Sequence, residues 1–184
     1  MVAAMALDHA ILVSLAERSA SGYDLARRFD ASIGHFWKAS HQQIYKVLGR
    51  MEAAAWVEAR RVEQSGRPDK KVYAITGEGR AELLRWSSTP TPMESTRSEI
   101  AVKVRGLRFG DRDAVLSDVR ARREAHASQL AYYESSAARH YPDPSAVDED
   151  ELGAYLVLRA GIMQEQTGVA WCDEILQAFG ASGG

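Results

Sequence analysis

Cysteine is nearly absent from this sequence. The single one, Cys172, has no partner for an intrachain disulfide, so the fold must hold without covalent staples, and a reducing, cytoplasmic setting is expected. No apolar run approaches bilayer-spanning length, and no basic start leads into a long apolar core, so neither a membrane partner nor an export signal is expected. Nucleotide-binding loops are missing too. There is no P-loop, and in Gly77-x-Gly79 the third glycine of a dinucleotide motif is replaced by Glu82. The histidines His9, His35, His41, His126 and His140 form no HExxH or other metal-ligand spacing. Cys172 falls in an apolar stripe, the setting of a structural thiol rather than a nucleophile. These absences argue against an enzyme: no catalytic residue, metal or cofactor is expected.

A strong charge of either sign is also lacking, since the formal net charge is −2. The total conceals a division. Residues 1–88 carry 13 Lys and Arg against 10 Asp and Glu, whereas residues 89–184 carry 10 against 15. Between Phe36 and Lys71 there are 8 basic and 4 acidic residues. A basic front and an acidic rear suggest that only the front meets a polyanion. With 184 residues, 46% hydrophobic and 26% charged, the chain suits one globular domain or two small ones.

Proline and glycine punctuate rather than pervade. "STPTPME", Ser88 to Glu94, marks an extended connector, giving a front domain over 1–88, a linker over 89–94 and a rear domain over 95–184. A second break, "YPDPSAVDED", separates two long helical stretches. In the front, Leu7, Ile11, Leu12 and Leu15 share one helical face. Ser21-Gly22-Tyr23-Asp24 has capping-box spacing ahead of a second helix whose stripe is Ala26, Phe29, Ile33 and Phe36 or Trp37. Ser40 and Gln43 form a clearer box before Ile44, Val47, Leu48, Met51 and Ala55. Two strands, Trp56 to Gln64 and Lys70 to Thr76, flank a turn-forming Ser65-Gly66-Arg67-Pro68-Asp69 and predict a hairpin. A fourth helix opens at "GEGRAELLRW".

The rear reads as helix throughout. Ile100, Val104 and Leu107 mark a short one. Leu116, Val119, Arg123, His126, Leu130, Tyr133 and Ala137 recur at steps of three and four, as do Tyr155, Leu158, Ile162, Glu165, Val169, Cys172, Leu176 and Phe179. Such seams can join two subunits or close a bundle within one chain. The first reading makes Leu116, Val119, Leu130, Tyr133, Tyr155, Leu158, Ile162, Val169 and Leu176 the dimerisation residues.

Three helices followed by a hairpin is the order of a winged helix-turn-helix, in which the third helix enters the DNA major groove and the hairpin meets the backbone or minor groove. With Ile44, Leu48 and Met51 inward, the third helix exposes His41, Gln42, Gln43, Tyr45, Lys46, Gly49 and Arg50. Gln suits adenine edges, and Lys and Arg suit guanine or phosphate. Arg67, Lys70 and Lys71 stand where a wing touches nucleic acid. The expected architecture is mainly α with a small β-hairpin wing, joined to a long-helix domain. A winged helix serving protein contact, its cations merely solubilising, is the competing reading.

"ALDHAILVSLAERSASGYDLARRF", "HQQIYKVLGRMEAAAWVEAR" and "GRPDKKVYAITGEGRAELLRW" resemble the PadR family of bacterial transcriptional regulators. The Gly22-Tyr23-Asp24-Leu25 turn, the Gln43-x-Tyr45 pair and the Gly66-Arg67-Pro68 wing carry the resemblance, which covers nearly all of the amino-terminal half. It implies a homodimeric winged-helix repressor of a DNA operator, with carboxy-terminal helices exchanged between subunits. It also implies release by a small aromatic or amphipathic effector, for which Trp37, Trp56, Trp86 and Trp171 supply aromatic surface. DNA contacts carried over are Ser40, His41, Gln42, Tyr45, Lys46 and Arg50, then Arg67, Lys70 and Lys71, with Tyr23 as a phosphate contact.

Overall fold

Leu7, Ile11, Leu12 and Leu15 are buried along helix α1 (Val2–Glu17), as their spacing requires. The computed structural model describes residues 2–31, 39–63, 70–93 and 97–180, with 2–6 and 29–31 as backbone alone. It comprises two units, Met1–Met93 and Glu94–Gly184.

In the first unit α1 leads through a two-residue strand, β1 (Ala20–Ser21), into α2 (Gly22–Ala31) and α3 (His41–Ala53). Strands β2 (Val57–Val62) and β3 (Lys70–Ile75) follow, then α4 (Gly77–Ser87). The sheet is antiparallel in the order β1-β3-β2, with Ala20 opposite Tyr73 and Val57 opposite Ile75. The sequence announces a two-stranded hairpin; β1 is the difference. Two residues are too few for an alternation signal, and they pair only because β3 offers a second edge. The hairpin loop, 64–69, lies outside the described residues, as do Ile33, Phe36 and Trp37 and the side chain of Phe29.

Leu25, Ile44, Leu48 and Met51 close the core against α1. Fully burying each such side chain stabilises by about 1.5–3 kcal/mol. One polar cluster is built into this core. His9 of α1 bonds Glu82 of α4 at 2.9 Å and stacks on Trp86, ring centroids 4.6 Å apart. Burial pushes the Glu82 carboxyl upward, but hydrogen bonds from Arg85 and His9 outweigh it and hold the carboxyl below its ordinary range.

Thr76 fixes the corner between wing and α4. Its hydroxyl accepts from the Gly79 amide at 3.1 Å and donates to the Ala55 carbonyl at 2.6 Å. A methyl group at Gly79 would lie 2.1 Å from the Trp56 carbonyl oxygen, so only glycine lets this close approach form.

The second unit holds α5 (Glu99–Arg105), α6 (Arg112–His140) and α7 (Glu149–Gly180), with 3-10 turns at Leu107–Phe109 and Pro144–Ala146. Leu107 therefore falls beyond the short helix in which its spacing placed it, because α5 stops at Gly106. α6 and α7 form an antiparallel hairpin: Arg112 donates to the Phe179 carbonyl at one end, and Tyr141 meets Tyr155 at the other. Leu116, Val119, Tyr133 and Ile162 are buried, while Leu130, Tyr155, Leu158, Val169 and Leu176 are half-buried. The polar breaks in the two seams face each other, His126 bonding Glu165 at 2.5 Å, and Gly168 leaves room for the imidazole. Among the described residues no helix is long and apolar enough to cross a membrane.

Candidate nucleic-acid interface

The entry to α3 is set by a complete capping box. The Gln43 amide donates to the Ser40 hydroxyl at 3.2 Å, and the Ser40 amide donates to Gln43 Oε1 at 2.8 Å. The box occupies Gln43 Oε1, so the exposed α3 amide left for a bidentate pair with a base edge is that of Gln42. Ile44, Val47, Leu48 and Met51 face inward, which turns His41, Gln42, Tyr45, Lys46 and Arg50 to solvent.

α2 begins beside this surface. The Ser21 hydroxyl accepts from the Asp24 amide at 3.1 Å and donates to Asp24 Oδ2 at 2.7 Å. Aspartate is one methylene shorter than glutamate, and here it returns to the hydroxyl rather than to the cap backbone. Tyr23 is thereby presented outward and meets His41 edge-on at 6.3 Å. The Tyr45 ring lies over Gly22, where an added methyl would sit 2.3 Å from Cε1. The first turns of α2 and α3 thus bring Tyr23, His41, Gln42, Tyr45 and Lys46 onto one exposed surface.

Three cations expected at the interface are each held by a carboxylate. Arg50 pairs with Asp8 of α1 at 2.7 Å, Lys70 with Asp24 at 2.8 Å, and Lys71 with Glu52 at 2.8 Å. Lys70 and Ser21 lower the Asp24 carboxyl to about 2, and Glu52 raises the pKa of Lys71. Pairs this exposed are worth about 0–1 kcal/mol, so a phosphate can compete for the ammonium groups. Arg67 lies outside the described residues. Sequence reasoning also passed over Arg18, Arg27 and Arg28, which gather around Lys70. The Arg27-Arg28 doublet was visible, but only the fold shows that it faces the turn after α1.

Comparison with known proteins decides the family. Residues 11–85 match the Transcriptional regulator PadR-like family, and residues 96–179 match Virulence activator alpha C-term. A probable transcriptional regulator of Mycobacterium tuberculosis is 50% identical over 95% of this chain and 98% of its own. The chain belongs to the PadR-like family of transcriptional regulators. It is a regulator, not an enzyme. The negative transcriptional regulator PadR of Bacillus subtilis is 30% identical over 92% of this chain and 95% of its own. The crystal structure of that PadR with operator DNA matches with a TM-score of 0.82 and 27% identity, over 94% of this chain and 98% of the other. Its complex with p-coumaric acid matches at 0.75 and 26%, over 94% and 97%. The virulence activator AphA of Vibrio cholerae matches at 0.80 and 32%, over 95% and 98%. The winged-helix fold is that of the family, and the carboxy-terminal hairpin corresponds to its second matched region.

Proposed function

We propose that this PadR-like chain binds a near-palindromic DNA operator as a homodimer, represses transcription there, and is released by a small aromatic or amphipathic effector. The observation that carries the reading is the shared exposed surface of Tyr23, His41, Gln42, Tyr45 and Lys46. In major-groove docking the first turns of the recognition helix enter deepest, so His41 and Gln42 read base edges. Lys46 and Ser40 take phosphates, Tyr45 and Tyr23 contact the backbone, and Arg67, Lys70 and Lys71 serve the wing. Arg50, anchored to Asp8, holds α3 on α1 and offers its remaining donors to a phosphate. The Bacillus PadR solved on operator DNA supports the docking mode, and its complex with p-coumaric acid supports a planar aromatic acid as effector. Such a regulator works beside the chromosome, in the cytoplasm.

A two-fold dimer presents its two α3 helices to successive major grooves about 34 Å apart. An effector releases it by favouring a different spacing, and a tenfold change in occupancy needs about 1.4 kcal/mol of differential binding. Gel-shift against the gene's own upstream region tests the proposal. Gln42→Ala and His41→Ala should each reduce preference for that region over random duplex by about 1–3 kcal/mol. Lys46→Ala should weaken both duplexes alike and flatten the salt dependence by about one unit of slope. If upstream and random duplex bind equally weakly at low salt, the protein-contact reading of the winged helix prevails.

A further inference from the structure

Beside the wing strand lies an open cleft of about 580 Å3, lined by Arg18, Arg27, Arg28, Lys70 and Asp24 with small residues between them. Four cations meet one carboxylate there, and that carboxylate already holds Lys70 and the Ser21 hydroxyl. Arg28 is built in: Nη1 donates to the Arg18 carbonyl at 3.0 Å and Nη2 to the Ser19 carbonyl at 3.1 Å, tying α2 to the turn after α1. Arg18 and Arg27 are exposed, and among the described residues neither guanidinium pairs with a carboxylate. They contrast with Arg50, Lys70 and Lys71, all of which do. Like charge gathered at Arg18 and Arg27, with no carboxylate bonded to either among the described residues, suits an anion that arrives from outside.

The position of the cleft narrows the kind of anion. Asp24 follows Tyr23 directly, and Arg27 lies one turn further along α2. Lys70 opens the returning strand of the wing. The cleft therefore borders α2 from the residue after Tyr23 onward and the first residue of the wing's returning strand. Guanidinium forks match phosphate oxygens in pairs, and an open cleft admits a strand that enters and leaves.

We infer that this cleft receives the phosphodiester backbone of the same duplex, with Arg18 and Arg27 as phosphate contacts beyond α3 and the wing. The inference rests on the DNA-binding reading, and the test separates the two. Binding of the full-length protein to upstream and random duplexes is measured across salt for wild type, for Lys46→Ala, and for the doubles Arg18→Gln/Arg27→Gln and Arg18→Lys/Arg27→Lys. The Gln double should lose about 1.8 units of salt slope, so its deficit against wild type shrinks roughly tenfold between about 50 and 200 mM salt. Its ratio of upstream to random affinity should be unchanged, because phosphate contacts carry no sequence information. The Lys double keeps the charge and should keep the slope, which separates lost contact from lost folding. A Gln double with the wild-type slope, alongside a flattened Lys46→Ala, overturns this inference and spares the DNA reading; a cleft serving a free phosphate compound would give that result. Wild type without salt-dependent duplex binding overturns both.

Discussion

Ala55 has φ of 56°, the left-handed region that side chains with a Cβ resist. The bonds around it explain why the conformation persists. The Trp56 amide donates to the Met51 carbonyl at 2.9 Å and the Ala55 amide to the Glu52 carbonyl at 3.1 Å, the two bonds of a Schellman ending to α3. Glycine is the residue this position favours, and Ala55 is exposed, so its methyl adds little to the core. Ala55→Gly should therefore raise stability by about 0.5–1 kcal/mol, less than the full left-handed cost because glycine also loosens the unfolded chain. Urea unfolding checks it, and a loss of stability would contradict the strain account. Gly79→Ala should act in the opposite direction, destabilising by about 3 kcal/mol, because the added methyl meets the Trp56 carbonyl rather than a movable side chain. Gly22→Ala differs again. Its methyl meets the far edge of the Tyr45 ring, which can swing aside. Stability should change by less than about 1 kcal/mol while operator affinity falls, since the displaced phenol leaves the α2–α3 surface. Equal losses in both measurements would show that Tyr45 serves packing only.

Between elements, the wing strand is tied to the helices by ion pairs: Lys70 to Asp24 of α2 and Lys71 to Glu52 of α3. Asp24 titrates near 2 when folded because Lys70 and then Ser21 bond its ionised form, against about 3.9 in an unfolded chain. A lowered carboxyl pKa adds stability above the unfolded value and loses it as pH falls through the folded one, so the contribution is lost progressively between about pH 5 and pH 1. The pair is roughly two-fifths exposed, and solvent screening reduces its contribution to about 1 kcal/mol or less. Asp24→Asn should cost that amount at pH 7 and only a small part of it at pH 2, a convergence that unfolding curves at the two pH values would reveal. Element by element, sequence legibility followed signal length. The Ser40–Gln43 box and the Ile44, Val47, Leu48, Met51 stripe were readable because capping and 3.6-residue periodicity are local, whereas Ala55, expected to continue the stripe, lies past the end of α3 and is exposed. β1 was not, and neither were the pairings of Lys70, Lys71 and Arg50, whose carboxylates lie 46, 19 and 42 residues away. An ion pair between distant residues leaves no periodic trace. The basic cleft was missed for the same reason: it forms only when β3 brings Lys70 to α2.

At the scale of the whole molecule the question is what α7 does with its second face. One face lies on α6, burying Ile162, Cys172 and Ile175. Leu152, Leu156, Met163 and Trp171 remain exposed at helical spacings of four, seven and eight, roughly opposite that inner stripe. The seam residues expected to join subunits are buried or half-buried along the α6–α7 hairpin of one chain, and the outer stripe is further apolar surface open to a second copy. A row of large exposed apolar side chains on a single helix marks an interaction site, and the two-fold operator proposed above calls for a two-fold protein. Leu156→Asp/Met163→Asp should convert the protein to a monomer by sedimentation while leaving its helical circular dichroism intact, because neither side chain is in the core. Operator affinity should then fall by about 100-fold or more, since each winged unit must find its half-site without a tethered partner. A variant that stays dimeric would return the subunit contact to the α6–α7 seam, through exchange of helices between copies. A monomer that still binds operator at wild-type affinity would show that one α3 helix and its wing suffice, and the 34 Å spacing would lose its meaning.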